Sequence, residues 1–274
     1  MLRNFITLLT DFGLNDHYVA VLKGVIYSIC PQTLVIDITH NIPKFNVKMA
    51  SHILYVAYKY FPKNTIHSVT VYPEVGTDTK ALIIKTRNYL FVGPDNGVLS
   101  LAAKDDHIEE VFEIVNKDFM LEEMSYTFHG RDIFAPVPAF LACGVKPEEM
   151  GVPVDSHLIL SIEKSCIKDG SIKGEIIHID GYGNVITNIG REQLEGLDIS
   201  AGDILEVQIG VIKYELRLVK TFSNIKGGEV GLVVDSENLL ELCIFKDSAA
   251  KTISANIGDK VKVKKISEKL NREG

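Results

Sequence analysis

Apolar positions in the first half of the chain alternate between two periods. Phe5 to Leu9 is a continuous β-type run and predicts a first strand. After the polar stretch TDFGLND, Tyr18, Val21, Leu22, Val25 and Ile29 recur at helical spacing. That pattern predicts a helix capped by Asp16 and ended by Pro31. Leu34 to Ile38 reads as a second strand, and Asn46 as the cap of a helix through Val47, Ala50, Ile53, Leu54 and Ala57 that stops at Pro62. Strands are expected at Ile66 to Val71, Ala81 to Lys85 and Tyr89 to Val92, and a helix from about Val137 that Gly144 closes. Strands alternating with helices predict an α/β domain around a largely parallel sheet.

The rhythm changes after Gly151. Residues 171 to 179, 204 to 209, 212 to 219, 229 to 234, 240 to 244 and 260 to 265 are short β-type runs separated by Gly, Asn and Asp. They predict an all-β, barrel-like domain. The expected division is 1–160 for the α/β domain and 167–274 for the barrel, with the turn-rich segment after Gly151 between them. The closing KVKVKKISEKLNREG reads as a solvated strand edge followed by a frayed end.

Composition narrows the function. With 274 residues and 46% hydrophobic side chains the chain has material for a large core. Its 29 basic and 36 acidic residues leave a net charge of −7, so the footprint of a nucleic-acid binder is missing. No apolar run approaches the roughly 18 residues that cross a bilayer. The opening reaches Asp11 too early for a secretory leader, so a cytoplasmic protein is expected. Cys30, Cys143, Cys166 and Cys243 are scattered among apolar neighbours and read as buried thiols, not as disulfides or zinc ligands. No metal site is expected.

Five segments carry candidate chemistry. TDFGLND lies between a strand and a helix, the crest where α/β sheets bind ligands. Asp11 there can accept paired hydrogen bonds from a ribose diol, or can simply turn the chain. DITHNIPKF follows the second strand: Asp37 and His40 lack a third metal ligand, His40 reads as a hydrogen-bonding strut, and Phe45 as a stacking surface or a staple before the helix cap. Tyr72 and Thr79 in VYPEVGTDTK offer hydroxyls that do not ionise near neutrality. FHGRDIF concentrates Phe128, His129, Gly130, Arg131 and Asp132. His129 can exchange a proton at pH 7, the Gly130 N–H can approach a small nucleophile, and Arg131 with Asp132 reads as a structural ion pair. In HIDGYGNVITN, Asp180 can hold an amine, Tyr182 can stack on a base and Asn184 can read an adenine edge, although the segment is also a good hairpin turn.

Taken in order, TDFGLND, KGVIYSICP, DITHNIP, FVGPDNGVLS, TFHGRDIFAP, GNVITNI and DSENLLEL resemble the S-adenosylmethionine hydroxide adenosyltransferases. The related fluorinase and chlorinase enzymes form the halide-using branch of that family. The resemblance runs nearly end to end. It implies an α/β domain, a β-barrel, and a homotrimer holding S-adenosylmethionine where one subunit's first domain meets the next subunit's second. No cofactor beyond that substrate is implied. Position by position, Asp11 matches the ribose-diol carboxylate and Phe45 an aromatic beside the sugar and methionine. Phe128 and Gly130 match the nucleophile pocket, and His129 the histidine of an Asp-Arg-His triad. Asp180 matches the methionine-amine ligand, Tyr182 and Asn184 the adenine stacker and reader, and Ser236 a methionine-carboxylate contact.

The chain also departs from the family pattern. The triad Asp is replaced by Tyr72 and the triad Arg by Thr79. Tyrosine at that place is what the halide branch carries, yet the fluorinase threonine corresponds to Val75 and the long halide-type insertion is missing between Lys80 and Tyr89. Asn238 stands where glycine is usual, and Phe245, Lys246 and Asp247 replace a polar adenine-contact segment. The expected activity is hydrolysis of S-adenosylmethionine to adenosine and methionine. The alternatives are a chloride-using adenosyl transferase and a catalytically weakened adenosyl-binding protein.

Overall fold

The computed structural model describes residues 4–161 and 163–266. The chain forms two compact units that divide after Ser161. In chain order the first contains β1 (Phe5–Thr10), α1 (Tyr18–Ile29), β2 (Leu34–Thr39), α2 (Val47–Ala57), β3 (Ile66–Thr70), β4 (Ala81–Thr86), β5 (Leu90–Pro94), α3 (Ser100–Asp105) and β6 (Ile108–Ile114). It ends with α4 (His129–Asp132), α5 (Pro136–Ala142), α6 (Pro147–Met150) and β7 (Gly151–Pro153). Its sheet runs β2-β1-β3-β5-β4-β6-β7.

Only half of this sheet is parallel. Pairs β1–β2, β1–β3 and β3–β5 are parallel, while β4–β5, β4–β6 and β6–β7 are antiparallel. The largely parallel sheet expected from alternation therefore becomes a mixed one. The cause is the turn after β4: Thr86 N–H donates to Tyr89 O at 3.0 Å, and so short a link makes a hairpin, not a crossover. Asp106 braces it, accepting from Thr86 Oγ1 at 2.6 Å and Asn88 N–H at 2.8 Å. Strand β6 and helix α3 were not foreseen.

Side chains alternate to both faces of β1, so the sheet is covered twice. Ile6 and Leu8 pack with Leu22, Ile26 and Phe134. Leu9 packs on the other side with Leu54, Tyr58 and Phe91. Asn46 caps α2 as expected, its side chain accepting from Met49 N–H at 3.0 Å. Asp16 does not cap α1: the residue before the helix is His17, with no side-chain cap bond, and the buried stripe is Val19, Leu22 and Ile26. Tyr18 is thereby turned outward, away from the core.

A buried histidine makes this unit acid-sensitive. His67 on β3 is fully buried, stacked on Phe91 with ring centroids 5.1 Å apart, and bonded through Nδ1 to Thr7 Oγ1 at 2.8 Å. Burial pushes its pKa down from 6.5 to about 3, against a small opposing pull from Asp106. The unfolded chain takes up this proton below 6.5 and the native chain resists it, so the stabilising contribution is complete above 6.5 and is lost as pH falls toward 3. The slope approaches about 1.4 kcal/mol per pH unit. Urea unfolding of His67→Gln between pH 4 and 7 should show a shallower acid slope than wild type. Equal slopes would contradict the assignment.

The second unit contains β8 (Cys166–Lys168), β9 (Ser171–Ile179), β10 (Val185–Gly190), α7 (Arg191–Glu195), β11 (Ile204–Ile209), β12 (Ile212–Arg217), β13 (Val230–Val234), β14 (Leu239–Ile244), α8 (Ala249–Ile253) and β15 (Lys260–Lys265). These strands form one antiparallel sheet, β12-β11-β15-β9-β10-β14-β13, with β8 on β9. A bridge between Leu218 and Leu232 links its two ends, so the sheet is nearly a closed barrel around Ile176, Val185, Leu205, Leu242 and Val263.

Two expectations fail here for physical reasons. β15 is no sheet edge, because it pairs with β11 on one side and β9 on the other; Val261 and Val263 enter the core and the lysines face water. The frayed end expected beyond it falls on residues 267–274, outside the described residues. Cys30 and Cys243 are buried, but Cys143 and Cys166 are exposed free thiols. Cys143 occupies the C-cap of α5, past the helix face that its apolar neighbours bury. Among the described residues, no helix is long and apolar enough to cross a membrane, and no cluster of His, Cys, Asp and Glu could hold a metal ion.

Candidate active site

The first pocket opens where β1 and β3 end. Asp11 follows β1 directly and is buried. Its Oδ2 accepts from Phe45 N–H at 2.8 Å, and Lys44 Nζ donates to its carbonyl, so the loops after β1 and β2 are tied together at the carboxylate. Phe45 takes a left-handed backbone with φ +65° and is 67% exposed, the opposite of a staple packed into a core. His40 is the strut that the sequence suggested. Its Nδ1 lies 2.8 Å from Thr10 Oγ1, its Nε2 lies 3.1 Å from Asp37 Oδ1, and its carbonyl accepts from Gly13 N–H at 2.7 Å. Although burial works the other way, Lys23 and His40 together hold the Asp37 carboxyl below its usual pKa.

A cavity of about 360 Å³ brings Asp11, Phe45, Tyr72, Phe128, His129 and Gly130 together. Phe12, Tyr18, Lys44 and Thr70 also line it and were not foreseen as site residues. The aromatic wall is continuous: the Phe128 ring lies 5.2 Å from Tyr18 and 5.8 Å from Phe12, both edge-on. Gly130 has no room for a side chain, since a Cβ there would lie 3.1 Å from Phe12 Cζ and 3.2 Å from Thr70 Cγ2. Arg131 and Asp132 form the expected structural pair, Nε to Oδ1 at 2.6 Å, and Asp132 also accepts from Ser125 N–H at 2.7 Å.

His129 opens α4, and its ring centroid stands 5.9 Å from that of Tyr72. Neither ring nitrogen has a protein hydrogen-bond partner among the described residues, which leaves the imidazole available to a water or ligand. Tyr72 is different. Burial, then the nearby Glu74, pushes its pKa up, and its hydroxyl donates to the Thr79 carbonyl at 3.0 Å. The two positions that depart from the triad are thus joined to each other. Thr79 is not part of the pocket wall; its hydroxyl lies 3.0 Å from Thr77 Oγ1.

A second pocket, of about 560 Å³, belongs to the barrel unit. The turn between β9 and β10 supplies Tyr182 and Asn184, and Phe222, Phe245, Lys246 and Ser248 supply much of the remainder. Asp180 organises that turn, its carboxylate accepting from Tyr182 N–H at 2.9 Å, Asn184 N–H at 2.8 Å and Asn184 Nδ2 at 3.0 Å. Gly183 needs its φ of +84°, and a Cβ there would collide with Ser248 Oγ at 2.1 Å. Tyr182 is 84% exposed, a free stacking face. One amide hydrogen of Asn184 serves Asp180, and its side-chain carbonyl and other hydrogen have no partner among the described residues. Phe222 is the aromatic that sequence reasoning missed here, while Phe245 stands in the segment that replaces a polar adenine contact. The neighbourhood of Phe222 looks like an ordinary turn, and only the fold brings it beside Tyr182.

Ser236 lies outside this pocket, in the turn between β13 and β14, where its Oγ donates to Glu237 Oε1 at 2.9 Å. Asn238 in the same turn has φ +62°, a left-handed conformation that Asn tolerates better than most residues, which accounts for its standing in a glycine position.

A carboxylate, an imidazole and an aromatic wall at the crest of an α/β sheet, in a chain that also carries a barrel with an aromatic and asparagine pocket, define an enzyme acting on a small molecule. Comparison with known proteins makes the class specific. Residues 6–151 match the SAM hydroxide adenosyltransferase N-terminal domain, and residues 174–262 match the C-terminal domain of the same family. The chain belongs to that family. It is 33% identical to the (R)-S-adenosyl-L-methionine hydrolase of Salinispora tropica, over 94% of this chain and 97% of that one. A fluorinase from Nocardia brasiliensis is 28% identical over 96% of this chain and 97% of its own. A crystal structure of a conserved protein from Thermotoga maritima superposes with a TM-score of 0.91 at 38% identity, covering 94% of this chain and 99% of that chain.

Proposed function

We propose that this chain hydrolyses S-adenosylmethionine to adenosine and L-methionine by displacement at the ribose 5′ carbon. It would do so as a cytoplasmic homotrimer, with no cofactor beyond the substrate. The observation that carries this reading is that Asp11 and His129 open into one pocket. Asp11 binds the 2′- and 3′-hydroxyls, and Phe45 lies against the sugar and methionine. The barrel of the neighbouring subunit completes the site: Tyr182 stacks on adenine, Asn184 reads its edge, Asp180 faces the methionine amine and Ser236 the carboxylate.

The sulfonium is a strong leaving group, so the reaction needs alignment more than acid chemistry. Holding the attacking oxygen and the C5′–S bond in line is worth up to about 7 to 11 kcal/mol. Phe128 keeps the approach dry, and at Gly130 the backbone N–H can reach the nucleophile without a side chain in the way. As the C5′–O bond forms, the C–S electron pair leaves with sulfur, and neutral methionine departs. The water proton passes to His129, directly or through a second water.

Tyr72 favours a second reading, in which chloride attacks, because tyrosine is what the halide branch carries at that place and halide attack needs no base. Incubating the protein with S-adenosylmethionine, with and without chloride, separates the readings. Adenosine formed without halide supports hydrolysis, 5′-chloro-5′-deoxyadenosine formed only with chloride supports halide transfer, and tight binding without product would reduce the chain to an adenosyl-binding protein.

A further inference from the structure

Asp180 and Asp235 lie near enough to Glu241 for their charges to act on it, and both are already occupied. Asp180 accepts three N–H donors from its own turn, out of about four lone-pair sites. Asp235 accepts the N–H groups of Glu237 and Leu239, both at 2.8 Å. Glu241 lies on β14 between Leu240 and Leu242, which enter the core, so its side chain points to the opposite face. Cross-strand pairing sets it opposite Ile186 on β10, two residues along from Asn184 and therefore on the same face as that pocket residue.

Glu241 is only 5% exposed, and its Oε1 has no hydrogen-bond partner among the described residues. Burial, then the charges of Asp235 and Asp180, pushes its carboxyl up to about 7. An unpaired carboxylate is costly to bury without a counter-charge.

We infer that Glu241 is the uncommitted carboxylate of the ammonium site, giving the α-amino group of the substrate its counter-charge alongside Asp180 and selecting ligands that carry a primary ammonium. This rests on the S-adenosylmethionine reading above. Because its ligand group is absent from adenosine, the inference separates the two compounds.

Glu241→Gln, which preserves shape and removes charge, should raise KM for S-adenosylmethionine at least tenfold, with kcat within about twofold and the Kd for adenosine unchanged. Glu241→Asp should recover part of the loss. In wild type, the substrate analogue with a hydroxyl in place of the amino group should bind at least tenfold more weakly than S-adenosylmethionine, and that difference should shrink in Glu241→Gln. An unchanged KM in a Gln variant that still binds adenosine overturns the inference while leaving hydrolysis intact. Should the Gln variant fail to fold, equal wild-type affinity for the amino and hydroxy compounds overturns it instead. A wild-type protein that binds neither adenosine nor S-adenosylmethionine refutes the functional reading itself, and this inference with it.

Discussion

His129→Ala is expected to lower turnover of S-adenosylmethionine about a hundredfold or more while its dissociation constant stays within about twofold. Water attacking a saturated carbon must lose a proton, and a positioned base contributes roughly 10²- to 10⁴-fold. His129 is the imidazole in the pocket wall, and its ring nitrogens are uncommitted among the described residues. Tyr72 is no substitute, since burial and Glu74 keep its hydroxyl protonated and its proton points to the Thr79 carbonyl. The proposed role of His129, taking the departing proton without holding the nucleoside, predicts that kcat and kcat/KM fall together. Full turnover by the alanine variant would remove His129 from the reaction.

Asp11→Asn should weaken both adenosine and S-adenosylmethionine by about 2 to 3 kcal/mol, or roughly 30- to 150-fold in Kd. The carboxylate is buried and one oxygen already receives the Phe45 N–H. An amide can turn its oxygen to Phe45 or to the diol, but not to both, and the charge that strengthens each bond is gone. Calorimetry with adenosine reads this without turnover. Unchanged affinity would show that Asp11 only shapes the loop.

Local signals were legible where one residue decides the outcome. Asn46 followed by helical spacing specified the start of α2, and each of the six β-type runs in the second half contains a strand. Signals that depend on partners were not. Alternation suggested a largely parallel sheet, although the three residues between the strands expected at Ala81 to Lys85 and Tyr89 to Val92 are too few for a crossover and already imply the fold-back that the Thr86 to Tyr89 turn makes. Strands β6 and β7, which extend the antiparallel half, gave no such signal. The helical stripe of α1 was right at Leu22, Val25 and Ile29, which pack on the core, but its first position was misplaced: packing selects Val19 and turns Tyr18 outward to line the pocket. The lysine-rich β15 looked like an edge because its charges alternate, yet its valines are buried between two strands.

The candidate site divides in the same way. Asp11, Phe45, Phe128, His129 and Gly130 sit in motifs dense enough to single out, and the fold collects them in one cavity. Lys44 and Phe222 carry no such signal and become site residues only through tertiary position. Thr79 matters through its carbonyl, which any residue would supply. Glu241 was hidden inside a strand pattern, since an alternating strand gives no warning that its polar face will be buried.

The account turns on an oxygen from water becoming the 5′-oxygen of adenosine. Running the reaction in ¹⁸O-labelled water and weighing the products by mass spectrometry tests this directly. The predicted result is adenosine heavier by about two mass units, with unlabelled methionine. Unlabelled adenosine, or consumption of S-adenosylmethionine without adenosine, would contradict it.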